Sequence, residues 1–469
     1  MILGKNIFFY ITEDEITITK RPDEYVRDGL ENGVGKTTYR LEMVNADTRD
    51  VQLLVRDMDN LNIITLDFDF LVDDRARGFS GFRVDESSSV ISIRKDIHQY
   101  PELSGEEYRT TEVIKSFLKE RSIPILPLNL ATGVVAEIGK EGPIIALRAD
   151  IDALPITEST QLPYQSKVQG VMHACGHDFH TASLLGAAAI LKEREEELKG
   201  RIRLIFQPAE EQNLGARQVI EAGALEGVEQ IIGYHNKPDL PIGTIGLKSG
   251  HLMAAVDQFE VIITGVGTHA AAPHNGNDPL VTASQIVTSL QTIVSRHVSP
   301  LDTVVVSVTK IDGGNTWNVI PESVVLKGTI RTFKEDIQQK TKQLFEQIVT
   351  AYAGAVNQKS EIIWVPSPPS VHNDLLLTEQ VKEAVSIFAD IIEPEVTLGG
   401  EDFAFYQQEI PGIFAFIGTG APYEWHHPNF LVQDKALVYA IQYYFYSATH
   451  ILNHLRATSK KRLTKDSLH

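Results

Sequence analysis

Pro143-Ile144-Ile145-Ala146-Leu147-Arg148-Ala149-Asp150-Ile151-Asp152 decides the fold class. Pro143 to Leu147 reads as a short apolar strand, and Asp150 and Asp152 follow it. An apolar run of this length suits a strand buried on both faces, as in a parallel sheet. The arrangement recurs. Arg203 to Phe206 reads as a strand stopped by Pro208, with Glu210 and Glu211 behind it. Gln230 to Gly233 is followed by His235, and Ile413 to Ile417 has His426 and His427 a few residues on. Thr111 to Arg121 shows helical periodicity. Thr181 to Leu198 predicts a second helix, rich in alanine and leucine at its start and charged from Lys192 to Glu197. Strand–helix alternation argues for an α/β layer fold with a largely parallel central sheet. Such sheets bind ligands in the crevice at the carboxyl ends of their strands, and here separate strand ends deliver Asp, Glu and His to one edge.

Between about residues 256 and 367 the texture changes. Phe259 to Thr264, a helix near Pro279 to Arg296, Thr303 to Val308, Ser323 to Ile330 and a helix near Ile337 to Tyr352 read β-α-β-β-α. That order predicts a compact ferredoxin-like α+β insert. The expected organisation is a catalytic domain of residues 90–255 plus 368–469, interrupted by a smaller domain of residues 256–367. Residues 1–85 read as a β-rich appendage, with strands at Val51 to Val55 and Asn62 to Leu71. A hairpin turn is expected at Glu31 to Gly35, between Tyr25-Val26 and Thr38 to Val44, and a linker at Arg75 to Ser89. Gly33-Val34-Gly35-Lys36-Thr37-Thr38 looks like a phosphate loop, but that motif needs glycine where Leu30 stands.

Composition removes several function classes. The 469 residues carry 62 acidic against 43 basic side chains, a formal charge of −19, and a duplex-binding surface would want the opposite sign. Met1 to Lys20 is apolar only from Ile7 to Thr12 and carries Glu13, Asp14 and Glu15, unlike a signal peptide. Val281 to Ser295, the longest uncharged helical stretch, is too short and too polar to span a bilayer. The one cysteine forms no internal disulfide. No nucleic acid, no membrane and a cytoplasmic location are the expectations.

That cysteine lies in Met172-His173-Ala174-Cys175-Gly176-His177-Asp178-Phe179-His180. Thiolate plus imidazole is a ligand set for zinc or a similar transition metal. Taken singly, each candidate has a plainer reading. Cys175 can be a small buried hydrophobe, and His235 a hydrogen-bonded loop residue. Glu210-Glu211 can be a helix N-terminal pair, and Asp152 a cap. Gathered at one sheet edge, they predict a metal centre. Of two adjacent carboxylates, one can bind metal while the other carries a proton. A metal lowers the pKa of its bound water from about 15.7 to about 7, and two ions about 3.5–4 Å apart can also polarise a carbonyl. Hydrolysis of an unactivated amide is the natural use.

His98-Gln99-Tyr100-Pro101-Glu102-Leu103-Ser104, Leu147 to Pro155, His173 to Asp178 and Gln207-Pro208-Ala209-Glu210-Glu211 resemble the aminoacylase/carboxypeptidase family of dinuclear metallohydrolases, most of all its amidohydrolase branch. The resemblance spans about residues 90 to 455. It implies two divalent ions (zinc, manganese, cobalt or nickel) on Cys175, His177, Glu211, His235 and His426, with Cys175 bridging. It implies Glu210 as base and then acid, and Asp152 as the carboxylate that orients a ligand. His426 rather than His427 matches the terminal ligand. Residues 256–367 would be a lid and homodimerisation domain, and Gly265 to His274 matches a lid motif with Thr268 where the family has glycine. His269 would stabilise the oxyanion, Asn318 and Arg331 would grip the substrate carboxylate, and Glu401 would lie near the site. The implied activity is hydrolysis of N-acyl, foremost N-acetyl, amino acids to a carboxylate and a free amino acid. The rivals are an aminopeptidase, dipeptidase or carboxypeptidase on the same scaffold, and a non-catalytic ligand-binding relative, which need not keep Glu210.

Overall fold

The computed structural model describes five strands between Phe8 and Asp69 and the chain from Val90 to Asp466, with side chains as far as Ala457. Two compact units result, Met1–Ser92 and Ile93–His469. In the first, β1 (Phe8–Ile11) and β2 (Ile16–Thr19) form an antiparallel hairpin. β3 (Tyr39–Met43), β4 (Asp50–Asp57) and β5 (Ile63–Asp69) form an antiparallel meander. The expected turn at Glu31 to Gly35, the Tyr25-Val26 strand, the phosphate-loop look-alike and the Arg75 to Ser89 linker lie outside the described residues.

The second unit is built on a seven-stranded sheet of β6 (Val134–Ile138), β7 (Ile144–Asp150), β8 (Arg201–Gln207), β9 (Val228–Lys237), β10 (Thr244–Gly246), β19 (Asp390–Ile392) and β20 (Gly412–Gly418), in the order β19-β10-β20-β9-β7-β8-β6. The central strands β20, β9, β7 and β8 are parallel. β6 and β10 join antiparallel on either flank, so the sheet is mixed at its margins. Every residue of β7 and β20 is buried, as a parallel strand covered on both faces requires. Helix His177–Glu193 lies against β7, and helix Leu437–Asp466 packs on it.

In the large layer three boundaries move. The helix expected from Thr181 begins at His177, because Gly176 stands at φ 84° and stops the chain from arriving helically. A Cβ at Gly176 would come within 2.5 Å of Asn236 Nδ2, so only glycine fits. The helix ends at Glu193, and Glu195–Glu197 form a separate turn. β9 continues to Lys237, so His235 lies inside the strand rather than beyond it. Its parallel neighbour carries the pairing through His235↔Phe416 to Lys237↔Gly418.

A second, four-stranded layer follows. The ribbon of β11 (Gly250–Met253) and β18 (Val371–Asn373) flanks it at entry and exit. It contains β12 (Ala255–Thr264), helix Pro279–Thr292, β14 (Val304–Asp312), β16 (Ser323–Thr332), helix Glu335–Ala355 and β17 (Lys359–Val365), with all paired strands antiparallel in the order β14-β16-β12-β17. That is a split β-α-β-β-α-β arrangement. The sixth element, β17, adds to the predicted β-α-β-β-α order. It is an edge strand with no fully buried residue. Phe259, Val261, Ile286, Leu290, Leu326 and Phe345 belong to this layer's own core. A short ribbon, β13 (Thr268–His269) with β15 (Val319–Ile320), extends from it. Among the described residues no helix is long and apolar enough to cross a membrane.

Arg148 ties the carboxyl edge of the large sheet together. Fully buried, it donates through Nε to Gln207 Oε1 (2.8 Å), through Nη1 to Asp150 (2.8 Å), and through Nη2 to Glu401 and Asp402 (both 2.9 Å). Removing one member of a buried ionic cluster strands its partners. Arg148→Met is expected to lower the unfolding free energy by about 3–5 kcal/mol, read from denaturant midpoints.

Candidate metal centre

Cys175, His177 and His235 meet at the end of β9 and the start of helix His177–Glu193, with one ligand atom of each within 4.8 Å of the others. His235 Nδ1 lies 2.8 Å from the Asn236 carbonyl and so carries the proton, which leaves Nε2 as a lone pair 3.3 Å from Cys175 Sγ. Cys175, Glu211 and His426 form a second trio of the same closeness, with Cys175 common to both. The His426 backbone N–H donates to the Ala174 carbonyl (2.8 Å), which brings its loop to the cysteine segment. Its neighbour His427 instead stacks on Tyr423, with centroids 4.5 Å apart, and accepts from the Asn429 N–H. Of the two adjacent histidines, His426 is therefore the one turned to Cys175 and Glu211.

These donors fit a cation. His177 Nε2 and Glu211 Oε1 are buried without a hydrogen-bond partner and lie 3.9 Å apart. Leaving such a group unmade costs about 1–3 kcal/mol, and an ion between them would answer both. Burial opposes charge on His177, yet Asp150 and Asp152 push its imidazole up to about 10. Burial, then Glu211 and Glu210, hold the Cys175 thiol well above its ordinary value. The field that draws a proton to His177 draws a dication equally, and a dication favours thiolate.

Glu210 stands beside this set, with one carboxylate oxygen within 4.8 Å of ligand atoms of both His177 and Glu211. Burial first, then the charges of Glu401, Glu211 and Asp402, raise its carboxyl well above the usual range. Asp152 Oδ1 lies 3.1 Å from His177 Nδ1, while its Oδ2 accepts from Ser104 Oγ (2.6 Å) and the Glu211 N–H (3.0 Å). His180, also close to His177, has both nitrogens committed. Nδ1 lies 2.6 Å from Asp150 Oδ1, and Nε2 accepts from the Asn236 N–H at 3.0 Å. It positions strand and helix rather than offering a ligand.

The remaining candidates are more dispersed. Glu401 is buried, its Oε1 accepting from Arg148 and from the Phe403 N–H (2.9 Å), and it sits near Glu210. Arg331, on β16, donates Nε to the Leu398 carbonyl (3.0 Å) and Nη1 to Thr329 and the Ile330 carbonyl. His269 and Asn318 are neighbours on the β13–β15 ribbon, where the Ala270 N–H donates to the Asn318 carbonyl. Among the described residues, neither makes a hydrogen bond or ion pair with the Cys175 cluster.

Residues 146–450 match the profile of peptidase family M20/M25/M40. The chain belongs to that family. An N-acetyl-L-cysteine deacetylase of Bacillus subtilis (strain 168) is 53% identical over 367 residues, which are 78% of this chain and 88% of the relative. An N-acetylcysteine deacetylase of the same organism is 49% identical over 371 residues, 78% of this chain and 98% of the relative. The crystal structure of the Bacillus subtilis YXEP protein, described as a dinuclear metal binding peptidase of the M20 family, superposes with a TM-score of 0.70 at 46% identity, covering 78% of this chain and 98% of that one. The M20 fold is thus the mixed α/β architecture described above.

Sequence reading missed a second buried cluster behind the centre of this M20 chain. His98 Nδ1 lies 3.1 Å from Asp178 Oδ2 and its Nε2 lies 3.3 Å from Glu158, while Arg94 Nε donates to the same Asp178 oxygen (3.1 Å). His98 opens the first quoted motif, but only the fold shows its partners. Burial lowers the His98 pKa, and the two carboxylates outweigh it, pushing it up to about 9 from 6.5. A folded value above the unfolded one stabilises fully below pH 6.5 and loses that effect as pH rises through about 9. His98→Leu should therefore cost most at about pH 6 and progressively less toward about pH 10, measured by urea unfolding of both proteins across that range.

Proposed function

We propose that this chain binds two divalent metal ions through Cys175, His177, Glu211, His235 and His426 and hydrolyses the amide bond of N-acyl amino acids to a carboxylate and a free amino acid. The observation that carries the reading is the pair of ligand trios sharing Cys175, with buried Glu210 beside them. Zinc, manganese, cobalt and nickel all suit this donor set. When bound, the ions would supply Lewis acidity and make hydroxide accessible near neutral pH. The relatives that are 53% and 49% identical over 78% of this chain are named as N-acetylcysteine deacetylases, which supports acetyl as the acyl group.

In this reading Glu210 takes a proton from the attacking water and delivers it to the departing nitrogen. Its place beside His177 and Glu211, within reach of the centre, suits both halves of that task. Asp152 fixes the His177 ring through Nδ1, so that Nε2 faces the centre. Arg331 spends Nε and Nη1 on backbone and Thr329, leaving Nη2 for the substrate carboxylate, with Asn318 as its companion. Glu401 acts at one remove, as a buried charge that raises Glu210. The four-stranded layer, residues 256–367, serves as lid and dimerisation domain. Val319 of the β13–β15 ribbon (48%) and, just outside it, Val266 (54%) and Trp317 (92%) are exposed, a surface suited to cover by a second copy of the chain. His269 would then stabilise the oxyanion in the partner's site. The lone cysteine suits a reducing cytoplasm.

The test is amine release from N-acetyl amino acids (N-acetylcysteine among them), N-benzoyl amino acids and dipeptides, after chelation and metal return. Metal-dependent release from N-acyl compounds is expected, and release from dipeptides alone would make the chain a peptidase instead. Glu210→Gln should lower kcat by about 10²-fold or more with metal content retained. Cys175→Ala, which removes the atom common to both trios, should lose metal on dialysis, as elemental analysis would show. His427→Ala should leave metal content unchanged.

A further inference from the structure

Glu107 occupies the N-cap position of helix Tyr108–Glu120, where an acidic side chain ordinarily serves the helix. It makes no capping bond there. Glu102 caps instead, its two oxygens accepting from the Arg109 N–H (2.9 Å) and the Thr110 N–H (2.8 Å). The Glu107 side chain turns into the protein and is completely buried. Its Oε1 accepts two backbone N–H bonds, from Gly105 and from Ala209, both at 2.8 Å, and Oε2 accepts from Thr132 Oγ1 (2.7 Å).

Both backbone partners adjoin the centre. Ala209 stands at φ 52°, in the left-handed region, which costs a residue with a Cβ about 1–2 kcal/mol. That turn takes the chain out of β8 and sets the directions of Glu210 and Glu211. Gly105 follows Ser104, whose Oγ donates to Asp152 Oδ2, and Asp152 in turn holds the His177 ring. One buried oxygen thus ties the loop behind His177 to the strained peptide ahead of Glu210.

We infer that Glu107 is a positioning residue for the hydrolysis: its Oε1, as a double backbone acceptor, fixes where Glu210 points relative to the His177 side of the centre. The inference rests on the reading of Glu210 as the base. A misplacement of about 1 Å can cost about 10²-fold in rate, so a loose Ala209 peptide would be felt in turnover before binding. Glutamine keeps an acceptor oxygen at the same reach and can donate to Thr132 Oγ1 in place of accepting from it. Aspartate keeps the charge but withdraws the oxygens by one methylene.

The experiment compares Glu107→Gln, Glu107→Asp and, as reference, Glu210→Gln, measuring kcat and KM for an N-acetyl amino acid, metal content by elemental analysis, and thermal unfolding. Expected are a kcat within about threefold of wild type for Glu107→Gln and a fall of about tenfold or more for Glu107→Asp, with KM within about twofold and metal content unchanged. A merely structural role would lower the unfolding temperature of both variants and spare kcat in the folded fraction, and that result overturns the inference. The reverse order, Glu107→Asp active and Glu107→Gln inactive, would show that charge rather than the shared acceptor matters, and overturns it too. Should Glu107→Asp not fold, Glu107→Gln decides alone, because a tenfold loss in a folded, metal-replete protein contradicts the acceptor role. If Glu210→Gln itself keeps wild-type kcat, the base reading fails, whereas loss there with both Glu107 variants intact removes only the positioning role.

Discussion

Buried negative charge is the constraint around which the large sheet's carboxyl edge is organised. Asp150, Asp152, Asp178, Glu210, Glu401 and Asp402 are all withdrawn from water in one region. Burying a carboxylate is costly unless it is paired and hydrogen-bonded. The chain's own cations are already committed: Arg148 to Asp150, Glu401 and Asp402, and Arg94 with His98 to Asp178. What remains is Glu210, Glu211, Asp152 and the Cys175 sulfur, facing imidazoles. Burial first and then neighbouring carboxylates raise Glu210 and Cys175, and at His177 such carboxylates outweigh burial. A divalent cation is the simplest counter-charge, and the donors on hand suit one.

Holding those groups together requires backbone shapes that side-chain packing alone would not choose. Gly176, Ala209 and His426 all have positive φ, and each adjoins or is a residue of the centre. Every one is held by a specific bond. Asn236 Nδ2 donates to the Cys175 carbonyl, Glu107 accepts from Ala209, and the His426 N–H donates to Ala174. Strain of this kind persists only where the surroundings over-determine it. The rigid parallel strands supply those surroundings.

What the sequence revealed and what it hid divide along sequence separation. Of the proposed ligands, Glu211 and His235 could be picked out because each stands in or just beyond an apolar strand, and Cys175 and His177 because thiol and imidazoles crowd one short segment. The preference for His426 over His427 comes from motif position, and the Tyr423 stack that occupies His427 agrees with it. Arg148 stood in a quoted motif, yet two of its partners lie 253 and 254 residues away. His98, Glu107 and His180 were silent for the same reason: a buried polar residue takes its meaning from partners that only the fold supplies. Element ends shifted where local preference met tertiary pairing, as in β9, or where one glycine broke the approach, as at His177.

The division of labour between the two layers follows from these placements. Every proposed metal ligand, and the base, is carried by the seven-stranded layer and its loops. Arg331, Asn318 and His269 are carried by the four-stranded layer, which has its own core. The β11–β18 ribbon flanks that layer on both sides in sequence, and its register shifts between His251 and Met253. A site assembled from two separately cored layers can hold its ions in one while the other adjusts to substrate. Arg331 already reaches across to the Leu398 carbonyl, two residues before the Gly400-Glu401-Asp402 turn that packs on Arg148 and Glu210. A chain of contacts thus runs from Arg331 on the four-stranded layer through that turn to Glu210, by way of the Asp402 N–H.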